Sequence, residues 1–277
     1  MRDVRLIALD LDGTLLNSAK QLTERNRRAL ERAAERGVEI VPSTGRFFGG
    51  MPRAVRELPF VRYAITINGA AVYDAAEKRD VYTAEMTAAA ATDIMAYLDT
   101  LPVIYDCYMD NWGWMTASMR DRAEEYTPDP YYIRMIRELR RPVPELKAFL
   151  RESGKGVQKV QLFTMDMALR QRLLRELETL FPDIAVSSSV PNNIEINHTR
   201  ANKGSALLAL AERLGIERAR TAAFGDGLND VPMIREAGVG VAMGNAPENI
   251  RALADAVADT CDADGVAKTI EEWLVTT

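Results

Sequence analysis

Two aspartates, Asp10 and Asp12, followed at once by Gly13 and Thr14, close the apolar run Leu6-Ile7-Ala8-Leu9 near the start of the chain. While strand periodicity lasts, residues two apart share a face, so these carboxylates repel unless a cation or a proton lies between them. A short apolar run reads as a buried parallel strand, and carboxylates at its C-terminal end fall where open α/β sheets bind ligands. Three distant segments carry residue types that would complete a site for phosphoryl transfer: Ser43-Thr44-Gly45-Arg46, Lys203-Gly204 and Gly225-Asp226-Gly227-Leu228-Asn229-Asp230. Thr44 offers a hydroxyl, and the loop around Gly45 offers amide donors, to a phosphate oxygen. Arg46 is placed to orient that loop or to reach a substrate. Lys203, opening a helix, brings a point charge and a helix N-terminus toward an anion. Asp226 and Asp230, four apart across a strand-to-helix turn, join Asp10 as the hard oxygen ligands that Mg²⁺ prefers, with Asp226 read as direct and Asp230 as an outer or weaker ligand. Asn229 is expected to orient Asp10 or Lys203. Taken singly, each segment has a plainer reading as a turn or a solvated lysine, but turn geometry does not explain acidic clusters at several strand ends.

The elements that must position these residues alternate. Thr23 can cap a helix to about residue 36, with Gly37 as its stop, and residues 38–41 supply the next strand. Strand, helix and strand with short connections make a βαβ unit and a parallel sheet. Residues 64–67 read as another buried strand closed by Asn68-Gly69-Ala70, and 71–74 with 79–82 as a small hairpin. The rhythm resumes later with a helix from Lys203 stopped by Gly215, a strand at 221–224, a helix at 231–237, a strand at 239–242, Pro247 opening a helix, and a C-terminal helix over 266–274.

Between these halves the character changes. A helix at 88–98 precedes aromatic-rich strands at 103–109 and 112–116. Residues 127–132 read as a loop because of Pro128 and Pro130. A strand at 157–165, a helix at 168–180 and strands at 184–189 and 193–197 follow. This mixture indicates an α+β domain inserted at 85–196 into a core formed by 1–84 and 197–277.

With 277 residues the chain suits two modest domains. Its 40 acidic and 35 basic residues, interspersed to a net charge of −5, argue against a nucleic-acid or anionic-membrane partner. Two cysteines, Cys107 and Cys261, lack metal-ligand spacing, and a reducing cytoplasm fits them. No apolar run is long enough to cross a bilayer, and the N-terminal run is too short and acidic for a secretion signal. Gly238 to Gly244 has the wrong spacing for a dinucleotide fingerprint. His198, the only histidine, reads as structural or surface, and Tyr105, Tyr108, Trp112 and Trp114 as sheet packing.

Asp10-x-Asp12-Gly13-Thr14, Ser43-Thr44-Gly45-Arg46, Lys203-Gly204 and Gly225-Asp226-x-x-Asn229-Asp230 resemble, in order, the four motifs of the haloacid dehalogenase superfamily of phosphohydrolases. Asn68-Gly69-Ala70 and Val241-Ala242-Met243-Gly244-Asn245-Ala246 are similar to its Cof-type branch, which carries a large α/β cap between the second and third motifs. The resemblance covers both core segments, whereas the insert matches in size and general character. It implies a Rossmann-like parallel-sheet α/β core with an inserted cap, and Asp10 as a nucleophile forming an aspartyl-phosphate. Asp12 would protonate the leaving alkoxide, later deprotonate water and turn its backbone carbonyl to the metal. The neighbouring carboxylate is expected to raise the proton affinity of Asp12. Thr44, Gly45, Arg46, Lys203 and Asn229 would hold the phosphate, and Asp10, Asp12, Asp226 and Asp230 would serve Mg²⁺. The implied activity is hydrolysis of small phosphorylated metabolites, sugar phosphates first. A phosphotransferase or mutase on the same intermediate, or a metabolite-binding regulatory protein, are the alternatives.

Overall fold

The apolar run that ends in Asp10 is the strand β1 (Leu6–Asp10), buried at every position. Leu6 and Ala8 pack on one face with Val41, Ile65 and Leu207, while Ile7 and Leu9 pack on the other with Leu30, Ile40 and Ile270. Helices therefore cover both faces, as a parallel sheet requires. The structure, a computed structural model, describes residues 3–188 and 190–275. The chain continues through β2 (Glu39–Ser43), β3 (Tyr63–Thr66), β4 (Ala71–Asp74) and β5 (Arg79–Thr83). After these come β6 (Ile104–Met109), β7 (Trp112–Thr116), β8 (Arg140–Val143), β9 (Lys159–Phe163), β10 (Ile184–Ser187) and β11 (Asn193–His198). The last three strands are β12 (Thr221–Gly225), β13 (Val239–Ala242) and β14 (Ala256–Val257).

Residues up to Tyr82 and from Asn202 onward form one compact unit, and Thr83–Ala201 another. The first unit holds an eight-stranded sheet ordered β14-β13-β12-β1-β2-β3-β4-β5. Its pairings from β14 through β3 are parallel, and β4 runs antiparallel to β3. The protein is thus α/β, with a Rossmann-like core and an inserted α+β unit. From β1 the strand order grows outward both ways, to β2 on one side and β12 on the other, and such a switch point opens a crevice at the carboxyl ends of the strands. Asp10, Ser43 and Gly225 are the last residues of β1, β2 and β12.

Local chemistry accounts for most of these boundaries. Thr23 caps the helix Glu24–Glu35 by accepting the Asn26 N–H, and Gly37 follows at φ +79°. Asn202 caps the helix Lys203–Arg213 by accepting the Ser205 N–H at 2.8 Å.

The second unit carries a six-stranded sheet ordered β10-β11-β9-β6-β7-β8. It is antiparallel except for the pairing of β7 with β8. Tyr105, Cys107, Val160, Leu162, Ile194 and Ile196 point to one face and form a core with the helices Ala88–Leu98, Leu146–Ser153 and Met167–Leu180. Alternation puts Asp106, Lys159 and Glu195 on the opposite face. There Arg140 donates to Asp106 at 2.7 Å and Lys159 to Glu195 at 3.1 Å.

Three details differ from the sequence reading. Pro130 does not sit in a loop running to 132 but opens the helix Pro130–Leu139, because proline's fixed φ and missing N–H suit a first helical turn. Residues 197 and 198 pair with β10 and so belong to the second sheet, which moves the compact boundary from 196 to Ala201. Strand β8 and the helix Leu146–Ser153 carried no assignment, and Ser189, the expected end of β10, lies outside the described residues. Both cysteines are free and buried, and no helix among the described residues is long and apolar enough to cross a membrane.

Candidate active site

Lys203 is fully buried, and its ammonium donates to Asp10 Oδ1 at 2.5 Å and to Asp230 Oδ1 at 2.6 Å. Two elements aim it there. Asn202 fixes the start of its helix, and Gly69 lets the loop after β3 approach that start closely. Gly69 has φ +89°, and a Cβ on it would lie 2.2 Å from the Asn202 carbonyl carbon. An ordered lysine at this depth needs two carboxylates to offset its desolvation. Burial works to lower its proton affinity, but Asp10 and Asp230 outweigh that and raise it.

Asp226 and Asp230 follow β12. Asp230 Oδ2 accepts the backbone N–H groups of Asp226 and Gly227 at 3.0 and 2.9 Å. With Lys203 on its other oxygen, it ties the loop to the ammonium. Asp226 is held by less: Thr14 donates to its Oδ1 at 3.0 Å, and Asn245 to its Oδ2 at 3.4 Å. Asn245 also donates to the Gly13 carbonyl at 2.8 Å, joining the loop after β1 to the loop after β13. Gly13 has φ +88°, and a Cβ there would meet Asp226 Oδ2 at 2.4 Å, so a side chain would exclude that carboxylate.

Ligand oxygens of Asp10, Asp226 and Asp230 lie within 4.8 Å of one another. The one buried ammonium is bonded to Asp10 and Asp230, and the third carboxylate, Asp226, is half-buried beside them. Burial and then Asp230 push Asp10 up to about 8 against the pull of Lys203. Burial and Asp230 likewise raise Asp226. An oxygen-only donor set, short of positive charge and larger than one lysine can satisfy, fits a hard divalent cation. Asp10 and Asp226 are the carboxylates best available to it, because Asp230 is already spent on three donors.

Asp12 departs from the raised proton affinity that its neighbouring carboxylate predicts. Arg46 donates to its Oδ2 at 2.9 Å, and the Lys20 ammonium lies 3.0 Å from its Oδ1. Burial acts to raise the Asp12 carboxyl, but Arg46 and Lys20 outweigh it and hold it below its ordinary value. Thr44 is buried on the strand-end loop, where its hydroxyl accepts the Arg46 N–H at 3.2 Å and its carbonyl accepts the Asn68 N–H at 3.0 Å. Gly45 lies between them, and an ideal Cβ on it would stand 2.8 Å from Asn68 Oδ1.

The fold thus brings together Asp10, Lys203, Asp226 and Asp230, and sets Asp12 with Arg46. Asn229 is exposed and donates to Asn68 at 3.4 Å rather than to Asp10 or Lys203, so its expected orienting role finds no contact here. His198 accepts the Arg200 N–H through Nδ1 in a local turn. Sequence reasoning assigns no chemical role to Lys20, Thr14 or Asn245, reading Thr14 only as part of the turn out of the sheet. Thr14 and Asn245 lie inside recognised motifs, whereas nothing in the pattern around Lys20 distinguishes it.

The haloacid dehalogenase-like hydrolase family matches residues 7–270, and the chain belongs to that family. It is similar to the 5-amino-6-(5-phospho-D-ribitylamino)uracil phosphatase YcsE of Bacillus subtilis, with 30% identity over 99% of this chain and 97% of that one. It is also similar to the pyridoxal phosphate phosphatase YbhA of Escherichia coli, with 29% identity over 98% and 99%. Among solved structures, a haloacid dehalogenase-like hydrolase from Bacteroides thetaiotaomicron superposes with a TM-score of 0.81 at 29% identity, over 98% of this chain and 99% of that one. The protein is a phosphoric monoester hydrolase.

Proposed function

We propose that the protein is a Mg²⁺-dependent phosphatase of small phosphorylated metabolites, acting through an aspartyl-phosphate on Asp10. The observation that carries this reading is the cluster of buried Asp10, Lys203 and Asp230 with half-buried Asp226 at the switch point of a parallel sheet. An oxygen of Asp10 attacks phosphorus while the bond from phosphorus to the leaving oxygen breaks and Asp12 gives that oxygen a proton. A water oxygen then attacks the same phosphorus. The bond to Asp10 breaks and Asp12 takes the water's proton. Lys203 holds Asp10 in line and balances charge on the transferring group, and the Thr44 hydroxyl donates to its oxygens. Arg46 reaches the same group. An incoming phosphate competes with Asp12 for Arg46, which frees Asp12 Oδ2 for the proton it must carry.

Asp10, Asp226 and the backbone carbonyl of Asp12 would hold Mg²⁺, with Asp230 behind them. When bound, Mg²⁺ supplies positive charge to the phosphoryl oxygens. The named relatives act on two different phosphorylated small molecules. At about 30% identity the class therefore carries over and the individual substrate does not, and sugar phosphates are the first to assay.

The test is phosphate release from p-nitrophenyl phosphate with Mg²⁺, with EDTA, and in Asp10→Asn, whose amide keeps the shape but loses the nucleophile. We expect turnover only in the unsubstituted protein with Mg²⁺. Substantial turnover by purified Asp10→Asn would falsify the covalent route.

A further inference from the structure

We infer that Lys20 is a positioning residue for the general acid: its ammonium fixes the Asp12 carboxylate through Oδ1, so that Oδ2 stays aimed where Arg46 now holds it. This rests on the reading of Asp12 as the acid and base. The geometry is specific to this turn. Oδ1 is closed off from solvent and accepts no well-aligned hydrogen bond, so the Lys20 ammonium at 3.0 Å is what balances it. Arg46 donates to Oδ2.

The Lys20 backbone is held at φ +60°, an unusual conformation for a residue with a side chain. Asn17 and Gln21 close the turn around it. Lys20 N–H donates to the Asn17 carbonyl at 2.8 Å, Asn17 N–H to the Gln21 carbonyl at 3.0 Å, and Gln21 N–H to Asn17 Oδ1 at 2.9 Å. The turn is pinned from outside as well, because Asp262 accepts the Ser18 N–H at 2.8 Å and Asp264 accepts the Thr23 hydroxyl at 2.6 Å. Isolated bridges pair Leu16 with Leu22 and Asp12 with Leu16, so turn and acid share one backbone frame. The Lys20 side chain is 62% exposed, so the contact is a modest one, but the fixed turn spares it the backbone ordering that a lysine on a free loop would also require.

Both cations stand on the same carboxylate, but they differ in what else they can do. Arg46 belongs to the loop that offers donors to phosphate, so an arriving anion draws on it. Lys20 belongs to the turn after β1, outside the phosphate loop, and its charge reaches Asp226 as well as Asp12. When Arg46 turns to the substrate, Lys20 keeps the carboxylate in register.

The experiment uses the Mg²⁺-loaded protein and two probes, phenyl phosphate and p-nitrophenyl phosphate. Phenolate is the poorer leaving group and depends more on protonation. We expect Lys20→Ala to lower kcat/KM for phenyl phosphate about fivefold and for p-nitrophenyl phosphate less than about twofold, and Lys20→Arg to restore the first. In an Asp12→Asn background Lys20→Ala should then have no further effect, as expected of residues acting in series. Equal losses on both probes, no loss at all, or a loss that persists unchanged in Asp12→Asn each overturns the inference. If Asp12→Asn itself spares phenyl phosphate, the acid role fails first and the positioning role falls with it.

Discussion

Around the Lys203 ammonium, three carboxylates have unequal commitments, and the inequality makes their roles separable. Asp230 spends one oxygen on Lys203 and the other on two backbone amides, whereas Asp226 is held by one hydroxyl and a long amide contact. Asp226→Ala should therefore raise the Mg²⁺ concentration for half-maximal rate by roughly 100-fold or more. Asp230→Ala should raise it by about 10-fold and lower the rate at saturating Mg²⁺, because Lys203 loses its second anchor. Mg²⁺ titrations of both variants at fixed substrate decide this, and equal metal dependence refutes the division. A second expectation concerns pH. Burial and Asp230 raise Asp10 to about 8 from an ordinary 3.8, and Asp226 also upward. Between about pH 5 and 8 the metal-free folded protein then binds more protons than the unfolded chain, so its stability falls as pH rises and levels off above that window. Mg²⁺ competes with those protons and should flatten or reverse the slope. Urea midpoints measured across this range in EDTA and in Mg²⁺ give the comparison, and metal-free stability that climbs with pH contradicts it. The residue types and the strand-end position of Asp10 and Asp226 were legible in the sequence. The state of Asp12 was not, since spacing reveals its neighbour Asp10 but not two cations delivered by a later loop and a turn.

At the scale of elements, the site depends on how closely backbone segments approach. The loop after β3 can touch the start of the helix Lys203–Arg213 only because Gly69 has no Cβ. Gly69→Ala should cost about 2 kcal/mol or more, combining a strained left-handed residue with a clash against the Asn202 carbonyl, and should lower kcat by displacing Lys203. Chemical denaturation and steady-state kinetics on one preparation measure both, and a variant unchanged in either removes Gly69 from the positioning of Lys203. Elements with strong local signals were readable: Thr23 as a cap, Gly37 and Gly215 as stops, and the buried runs that became β1, β12 and β13. Strand β8, with Arg140, Arg141 and Pro142 in four residues, has no apolar alternation to betray it. It exists because it pairs with β7 and because Arg140 finds Asp106 on a strand far away in sequence. Tertiary partners of that kind leave no trace in a local window.

Across the whole molecule, the two compact units each own their apolar cores, and every proposed catalytic or metal residue lies in the first. A ligand that binds one folded unit and not its unfolded form stabilises that unit by about 2.7 kcal/mol at 100 times its dissociation constant. Mg²⁺ should therefore protect the first unit selectively, and unfolding should depart from a single two-state transition. The three tryptophans allow each unit to be watched. Trp273 lies in the first unit with its ring 5.6 Å from that of Phe224, on the strand that leads to Asp226, whereas Trp112 and Trp114 lie on β7 in the second. In a protein carrying Trp112→Phe and Trp114→Phe, fluorescence reports the first unit, and its urea midpoint should rise with Mg²⁺. In Trp273→Phe it reports the second, and its midpoint should stay nearly constant. Separate midpoints with only the first responding would mean that metal binding and cap stability are independent quantities, so that substitutions in the insert could be screened for specificity without loss of the metal site. Identical midpoints that move together with Mg²⁺ in both variants would instead make the molecule one cooperative unit, and the selective protection predicted here would be wrong.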